Sequence, residues 1–170
     1  MSRKTKISLS RLQSFLKAQC DRLRASLDAS EYKNYIIALL FLKRINDQFE
    51  IDRLKLRDEL KSQFPDALDA DIDDELNVAE KYNCYVPPLA RWKHLLNPND
   101  ENGEEISYGD AITIALAEVE KSNSALLSGV LSKTKFNELN TKGERILDDS
   151  TLSDILKEFN DFPKLQDENF

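Results

Sequence analysis

A chain of 170 residues that is 41% hydrophobic and 32% charged falls in the range of soluble globular proteins and outside that of disordered or fibrous ones. Its longest apolar run, Ile36 to Leu42, is far short of the ~20 residues a membrane helix needs, and the basic start MSRKTKISLSR lacks the apolar stretch of a secretory signal. A net charge of −7 argues against an autonomous nucleic-acid binder, and Cys20 and Cys84, 64 positions apart with no C-x-x-C, exclude a zinc ribbon and make a reduced cytoplasmic protein the default.

No proline occurs before Pro65 and no glycine before Gly103, which favours helix over the whole first third. Leu9, Leu12, Leu16, Cys20, Leu23 and Leu27 recur at spacings of three and four, the pattern of one buried stripe. Ser8 or Ser10 is suited to cap the start. The opposite arc of that helix carries Arg11, Lys17, Arg22 and Arg24, with Asp21 as its one acid. Asp28 followed by Glu31 reads as a capping box, with Ser30 as the alternative cap. The next helix is expected from about Glu31 to about Ser62. Its segment Tyr35 to Leu42 is apolar all round and predicts a bundle centre contacted on every side. Beyond Arg44 the pattern turns amphipathic through Ile45, Phe49, Leu56 and Leu60, as for a far end projecting toward the surface.

Asp69 to Glu80 reads as a short acidic helix. Tyr82 to Val86 is a brief β-like run stopped by Pro87-Pro88, and Pro88 suits the first turn of a short helix through Leu96. Asn97 to Gly103 is a polar loop. Ser107 is placed to cap a helix to about Lys121 with Ile112, Leu116 and Val119 inward. Residues 124–142 are weakly patterned. A last helix starts near Thr151, striped by Leu152, Ile155, Leu156 and Phe159. No repeat stands out. The expectation is an all-α fold: an irregular helical bundle with a long central helix and a short extended segment near 82–86, forming a single helical domain over residues 1–170.

Candidate chemistry is sparse. The four glycines, at 103, 109, 129 and 143, form no G-x-G turn of the kind a nucleotide-type cofactor needs. Asn97-Pro98-Asn99-Asp100 lacks the second proline and the aromatic of an Asn-Pro-Pro-aromatic loop, so a plain turn is expected. His94 is the only histidine and has no metal or nucleophilic partners at ligand spacing. Asp69, Asp71 and Asp73 with Glu80 mimic calcium-loop spacing, but Asp74 stands where the loop needs glycine, so an acidic solvated face is expected. Asp148-Asp149 reads as a loop before the final helix rather than a carboxylate pair. Trp92, between Arg91 and Lys93, reads as a core anchor rather than a base-stacking platform. No catalytic, cofactor-binding or metal-binding residue is assigned.

Charge is divided unevenly. Residues 1–61 carry 14 Lys and Arg against 8 Asp and Glu, whereas residues 62–170 carry 10 against 23. A polyanion-facing front and a solvated or partner-facing remainder would produce this split.

Four blocks carry a resemblance. Asp28-Ala29-Ser30-Glu31-Tyr32-Lys33, running into Leu39-Leu40-Phe41-Leu42-Lys43-Arg44-Ile45-Asn46-Asp47, is similar to the stretch that opens the modification subunits of type I restriction enzymes. Val86-Pro87-Pro88-Leu89-Ala90-Arg91-Trp92, the helix ending Glu118-Val119-Glu120-Lys121-Ser122-Asn123, and Ser128-Gly129-Val130-Leu131 resemble three later blocks of the same family, in the same order. The resemblance implies the helical N-terminal domain of an adenine-N6 DNA methyltransferase subunit. It also implies a catalytic domain C-terminal to residue 170 that uses S-adenosylmethionine, so this segment itself needs no cofactor. Partners implied are DNA, a specificity subunit, a second modification subunit and a restriction subunit, in the cytoplasm and away from membrane. On that reading Arg3, Lys4, Lys6, Arg11, Lys17, Arg22 and Arg24 are the candidates for contact with the DNA backbone, without sequence readout. The alternatives are a protein–protein module whose basic arc docks on an acidic subunit and, least supported, a free-standing enzyme.

Overall fold

The computed structural model describes residues 7–165. Seven α-helices follow one another: α1 (Leu9–Leu23), α2 (Ala29–Gln63), α3 (Asp69–Glu75), α4 (Trp92–Leu95), α5 (Tyr108–Ser122), α6 (Ser124–Leu127) and α7 (Asp149–Asp161). Two 3₁₀ turns, Ala79–Lys81 and Pro88–Ala90, link α3 to α4. No strand occurs among the described residues, so the fold is all-α around one long helix. At 1.5 Å per residue α2 is roughly 50 Å long.

Local signals set most helix starts. The Ser8 side chain accepts from the Arg11 amide at 3.2 Å. Asp28 and Glu31 close a full capping box at the start of α2. Ser107 caps α5. The start of α7 differs from expectation: Asp148 is its N-cap, accepting from the Thr151 amide at 2.8 Å, and Asp149 is already helical. The acidic helix α3 stops at Glu75 rather than Glu80. Its last turn holds no cation to oppose the helix dipole.

The main core joins α1, the first half of α2, the 85–95 segment, α5 and α7. Ile112, Leu116 and Val119 of α5, and Leu152, Ile155, Leu156 and Phe159 of α7, are fully buried there, as their spacing predicts. A smaller cluster of Leu60, Ile72 and Leu76, flanked by Leu56, packs α3 on the far end of α2. That end therefore projects from the main core with one side covered.

Three expectations are corrected. The stripe of α1 keeps Leu16, Cys20, Leu23 and, just past the helix, Leu27 against the core, but it also takes in Phe15 and Gln19, and Leu9 is 70% exposed. The cause is α7: Phe15 meets Phe159 edge-on at 4.9 Å and stacks on Phe162 at 4.3 Å. The apolar segment of α2 is not contacted on every side, because Ile37 is 61% exposed and Phe41 also reaches solvent. Residues 82–86 make no strand. The chain bends through 82–84 and then runs irregularly to Pro87. Its main chain is satisfied by a side chain instead: the Tyr85 amide donates to Asn123 Oδ1, and Asn123 Nδ2 donates back to the Tyr85 carbonyl, both at 2.8 Å.

Candidate interaction surfaces

The candidate contact residues Arg3, Lys4 and Lys6 lie outside the described residues. The other four occupy α1 and its C-cap, where Asp21 is the single acid. All four are exposed, and three of them also have partners within the chain. Arg22 is half-exposed and ion-paired with Glu158 of α7. The same carboxylate accepts from Nε2 of the buried Gln19 at 2.5 Å. The Arg11 guanidinium lies over the Phe162 ring, 5.7 Å from its centroid. Arg24 pairs with Asp21 at 3.1 Å and covers the Tyr32 ring at 5.8 Å. Lys17 is exposed and makes no ion pair among the described residues. Arg11 and Arg22 thus flank the seam with α7, whereas Arg24 lies over the start of α2. The Arg22 pairing joins positions 136 apart in the chain, which a helical wheel does not register.

The four sequence blocks meet in the core, and their polar residues hold the backbone. Asn46 on α2 donates through Nδ2 to the Ala90 carbonyl at 3.1 Å and accepts from the Trp92 amide at 2.7 Å. Lys43 and Asp47, one turn apart and both buried, form an ion pair. The Lys43 ammonium also lies 5.7 Å from the Trp92 ring centroid, and Asp47 Oδ2 accepts from the Leu165 amide at 2.7 Å. Asn123 secures Tyr85 as described. Glu120 accepts from the amides of Gly129, Leu131 and Ser132, each at 2.8 Å. The Ser132 and Gly129 amides, ahead of Leu131, hold the Glu120 carboxyl down at about 2. These residues are structural pins. Trp92 is 3% exposed and packs near Phe159, as the core-anchor reading has it.

The remaining motif residues also have structural occupations. Asp69 pairs with Lys61 at 3.0 Å, Asp73 with Arg57 and Glu75 with Lys81, so the acids of α3 are spent largely on neighbouring cations. Asp148 caps α7, and Asp149 Oδ1 accepts from the Tyr108 amide at 3.1 Å. Cys20 and Cys84 are unpaired, and burial pushes both thiols up. Gly109 lies on α5 where a Cβ would stand 2.6 Å from the Phe136 carbonyl oxygen. Gly103, Gly129 and Gly143 have positive φ in loops. None of the four lies in a strand-to-helix turn, so the described residues do not fit a cradle for S-adenosylmethionine. No described helix is long and apolar enough to cross a membrane.

The structure shows a repeat where no repeat stands out in the sequence, and it includes the polar loop after Asn97. Residues 98–106 and 138–146 form the same hairpin twice. Asp100 and Asn140 take equivalent places. Each amide donates to the carbonyl four residues on, Glu104 or Glu144, at 2.8 Å, and each carbonyl accepts from the glycine amide, Gly103 or Gly143, at 3.0 Å. Each side-chain Oδ1 accepts two further amides: Asn102 and Glu104 in the first hairpin, Lys142 and Glu144 in the second. The pairings Asn99 with Glu105 and Leu139 with Arg145 close the two loops. The signal was present as Asp or Asn, two residues, Gly-Glu, one residue, Ile. The Asp/Asn exchange hides it from an identity search, although both side chains accept turn amides equally well. The hairpins lead into α5 and α7, whose starts are joined by Asp149 to Tyr108 and by Arg145 to Asp110 at 2.7 Å.

The family described as HsdM N-terminal domain matches residues 12–159. Comparison with curated proteins finds no match.

Proposed function

Because the chain belongs to the HsdM N-terminal domain family, the N-terminal domain of the modification subunit of type I restriction–modification systems, we propose that it serves such a subunit as a clamp on DNA and a contact for assembly. The parent protein then transfers a methyl group from S-adenosylmethionine to adenine N6 through a separate catalytic domain. The chain forms a single helical domain that contributes no catalytic or cofactor residue. It acts in the cytoplasm with specificity, second modification and restriction subunits.

The observation that carries the DNA half is the charge of α1. With its C-cap this helix sets Arg11, Lys17, Arg22 and Arg24 against Asp21 alone, and the front 61 residues are net positive. Such a face neutralises phosphates without reading bases. Arg3, Lys4 and Lys6 would extend it. Binding of a random-sequence duplex, followed by fluorescence anisotropy across a salt series, tests this. Affinity should fall steeply with salt, and Lys17→Glu should weaken it further. Salt-insensitive binding, or none at low salt, ends the DNA reading.

The second reading is a protein interface. It draws support from the same helix, where Arg22 and Arg24 already neutralise acids of this chain and Arg11 lies on an aromatic ring. Reversing Arg11, Arg22 and Arg24 separates the two. Loss of assembly with unchanged DNA affinity favours the protein interface.

A further inference from the structure

Between the first hairpin, the Pro88–Leu95 segment and α5 lies a cleft of about 340 Å³. Its lining divides by chemistry. Leu89, Ile106 and Ile114 supply apolar surface; His94, Asp100 and Glu101 supply the polar edge. Ile114 is 39% exposed although its neighbours Ala111 and Ala115 are buried, so apolar surface is open at the mouth.

The hairpin edge of the cleft is acidic, whereas the Pro88–Leu95 wall carries Arg91 and Lys93. Between Lys93 and Lys121 the chain contains no Lys or Arg and seven Asp or Glu. Asp110 is matched by Arg145, but Glu101, Glu104 and Glu105 are exposed around the hairpin and make no ion pair among the described residues. Phosphate is repelled from such an edge, which favours a cationic occupant over nucleic acid. A purely apolar side chain would leave the carboxylates unused. A long aliphatic stem ending in a cation satisfies both parts. Arginine suits it better than lysine, because its planar fork pairs with carboxylates through two hydrogen bonds.

We propose that this cleft receives an arginine side chain from a protein partner, with the stem on Ile106 and Ile114 and the guanidinium at Asp100 and Glu101. The site is remote in sequence from α1 and stands or falls independently of DNA binding there.

The test is an NMR titration of the isotopically labelled 170-residue chain with acetyl-Ala-Arg-Ala-amide. Matched peptides carrying norleucine or glutamate in place of arginine are the comparisons. The arginine peptide should give saturable shifts confined to His94, residues 99–106 and residues 111–114, with a roughly millimolar Kd for so small a ligand. Glu101→Gln should weaken it about threefold, the effect of one solvent-accessible charge contact, and raised salt should act the same way. Ile114→Ser, on a helix surface, should weaken it comparably while leaving the rest of the spectrum in place. Equal binding of the norleucine peptide, shifts centred elsewhere, no saturation, or full affinity in either variant would each overturn the assignment.

Discussion

Asn123 at the end of α5 hydrogen-bonds both main-chain groups of Tyr85, 38 residues away, with donor–acceptor distances of 2.8 Å in each direction. One amide side chain thus does the work of a partner strand for the irregular segment that a sequence pattern presents as β-like. Asn123→Ala leaves a partly buried N–H and C=O unmatched and should cost about 2 kcal/mol. Asn123→Asp should be at least as damaging. It places carboxylate oxygen against the carbonyls of Tyr85 and Val119, which now accept from Nδ2. Urea denaturation of the two variants checks both expectations.

The buried Lys43–Asp47 pair should respond asymmetrically to mutation. Lys43→Met strands a buried carboxylate and should cost about 3–5 kcal/mol. Adding Asp47→Leu removes the stranded charge, so the double variant should be more stable than the single one. It should still fall short of wild type, because the Leu165 amide loses its acceptor at Asp47. A denaturant-based double-mutant cycle reads this directly. Additive losses would show that the two side chains are energetically independent.

Helix starts and inward stripes were legible wherever the information was local. The Asp28–Glu31 box, the Ser107 cap and the Leu152–Phe159 stripe each lie within a few turns of chain. Orientation was less so. An all-apolar stretch such as Tyr35 to Leu42 has no polar face to mark its outside, so nothing local foretells that Ile37 and Phe41 stay exposed. The face of α1 is chosen by a helix more than a hundred residues downstream, which turns Phe15 inward and Leu9 outward. The same distance hides the Arg22–Glu158 pair. Asn46, Asp47, Glu120 and Asn123, polar residues of the family blocks, proved to be pins between distant segments, a role that spacing alone does not distinguish from ligand contact.

Glu120 makes acid stability measurable at one residue. Its carboxyl is held down at about 2 from an ordinary 4.5, first by the Ser132 amide and then by those of Gly129 and Leu131. A depressed folded value means that the unfolded chain binds the proton more readily. The stabilisation is therefore fully present above about pH 4.5. It declines as the pH falls from there and is lost as the pH passes through about 2. Glu120→Gln should lower stability at pH 7 and flatten the fall between pH 7 and pH 3. Urea midpoints at the two pH values, compared with wild type, decide it; an equal pH slope in the variant contradicts the assignment.

The twin hairpins should have matching energetics. Gly103 and Gly143 share left-handed backbone, with φ of 84° and 79°, and neither has an atom within 4 Å of where a Cβ would be. Substitution therefore meets backbone strain and no clash. Gly103→Ala and Gly143→Ala should each cost about 1 kcal/mol. Gly→Asn should cost less at both sites, because asparagine tolerates this region. With no partner shared between the glycines, the double alanine variant should approach the sum. Thermal melts of the five variants test the equivalence, and a cost at one site alone would contradict it.

If α1 faces DNA, its own ion pair limits it. Arg22 is tied to Glu158, with side chains 39% and 38% exposed, and a pair this open is worth at most about 1 kcal/mol. Glu158→Gln retains an acceptor for the Gln19 amide, removes a phosphate-repelling charge and releases Arg22. Duplex affinity at low salt should rise, and the slope of log K against log salt should steepen by about one phosphate contact. Arg22→Gln should then weaken binding in the Glu158→Gln background more than in wild type, because only there is the guanidinium unpaired. Should Glu158→Gln leave both affinity and slope unchanged while stability is preserved, α1 is not the surface that meets DNA, and its cations are better assigned to a neighbouring protein.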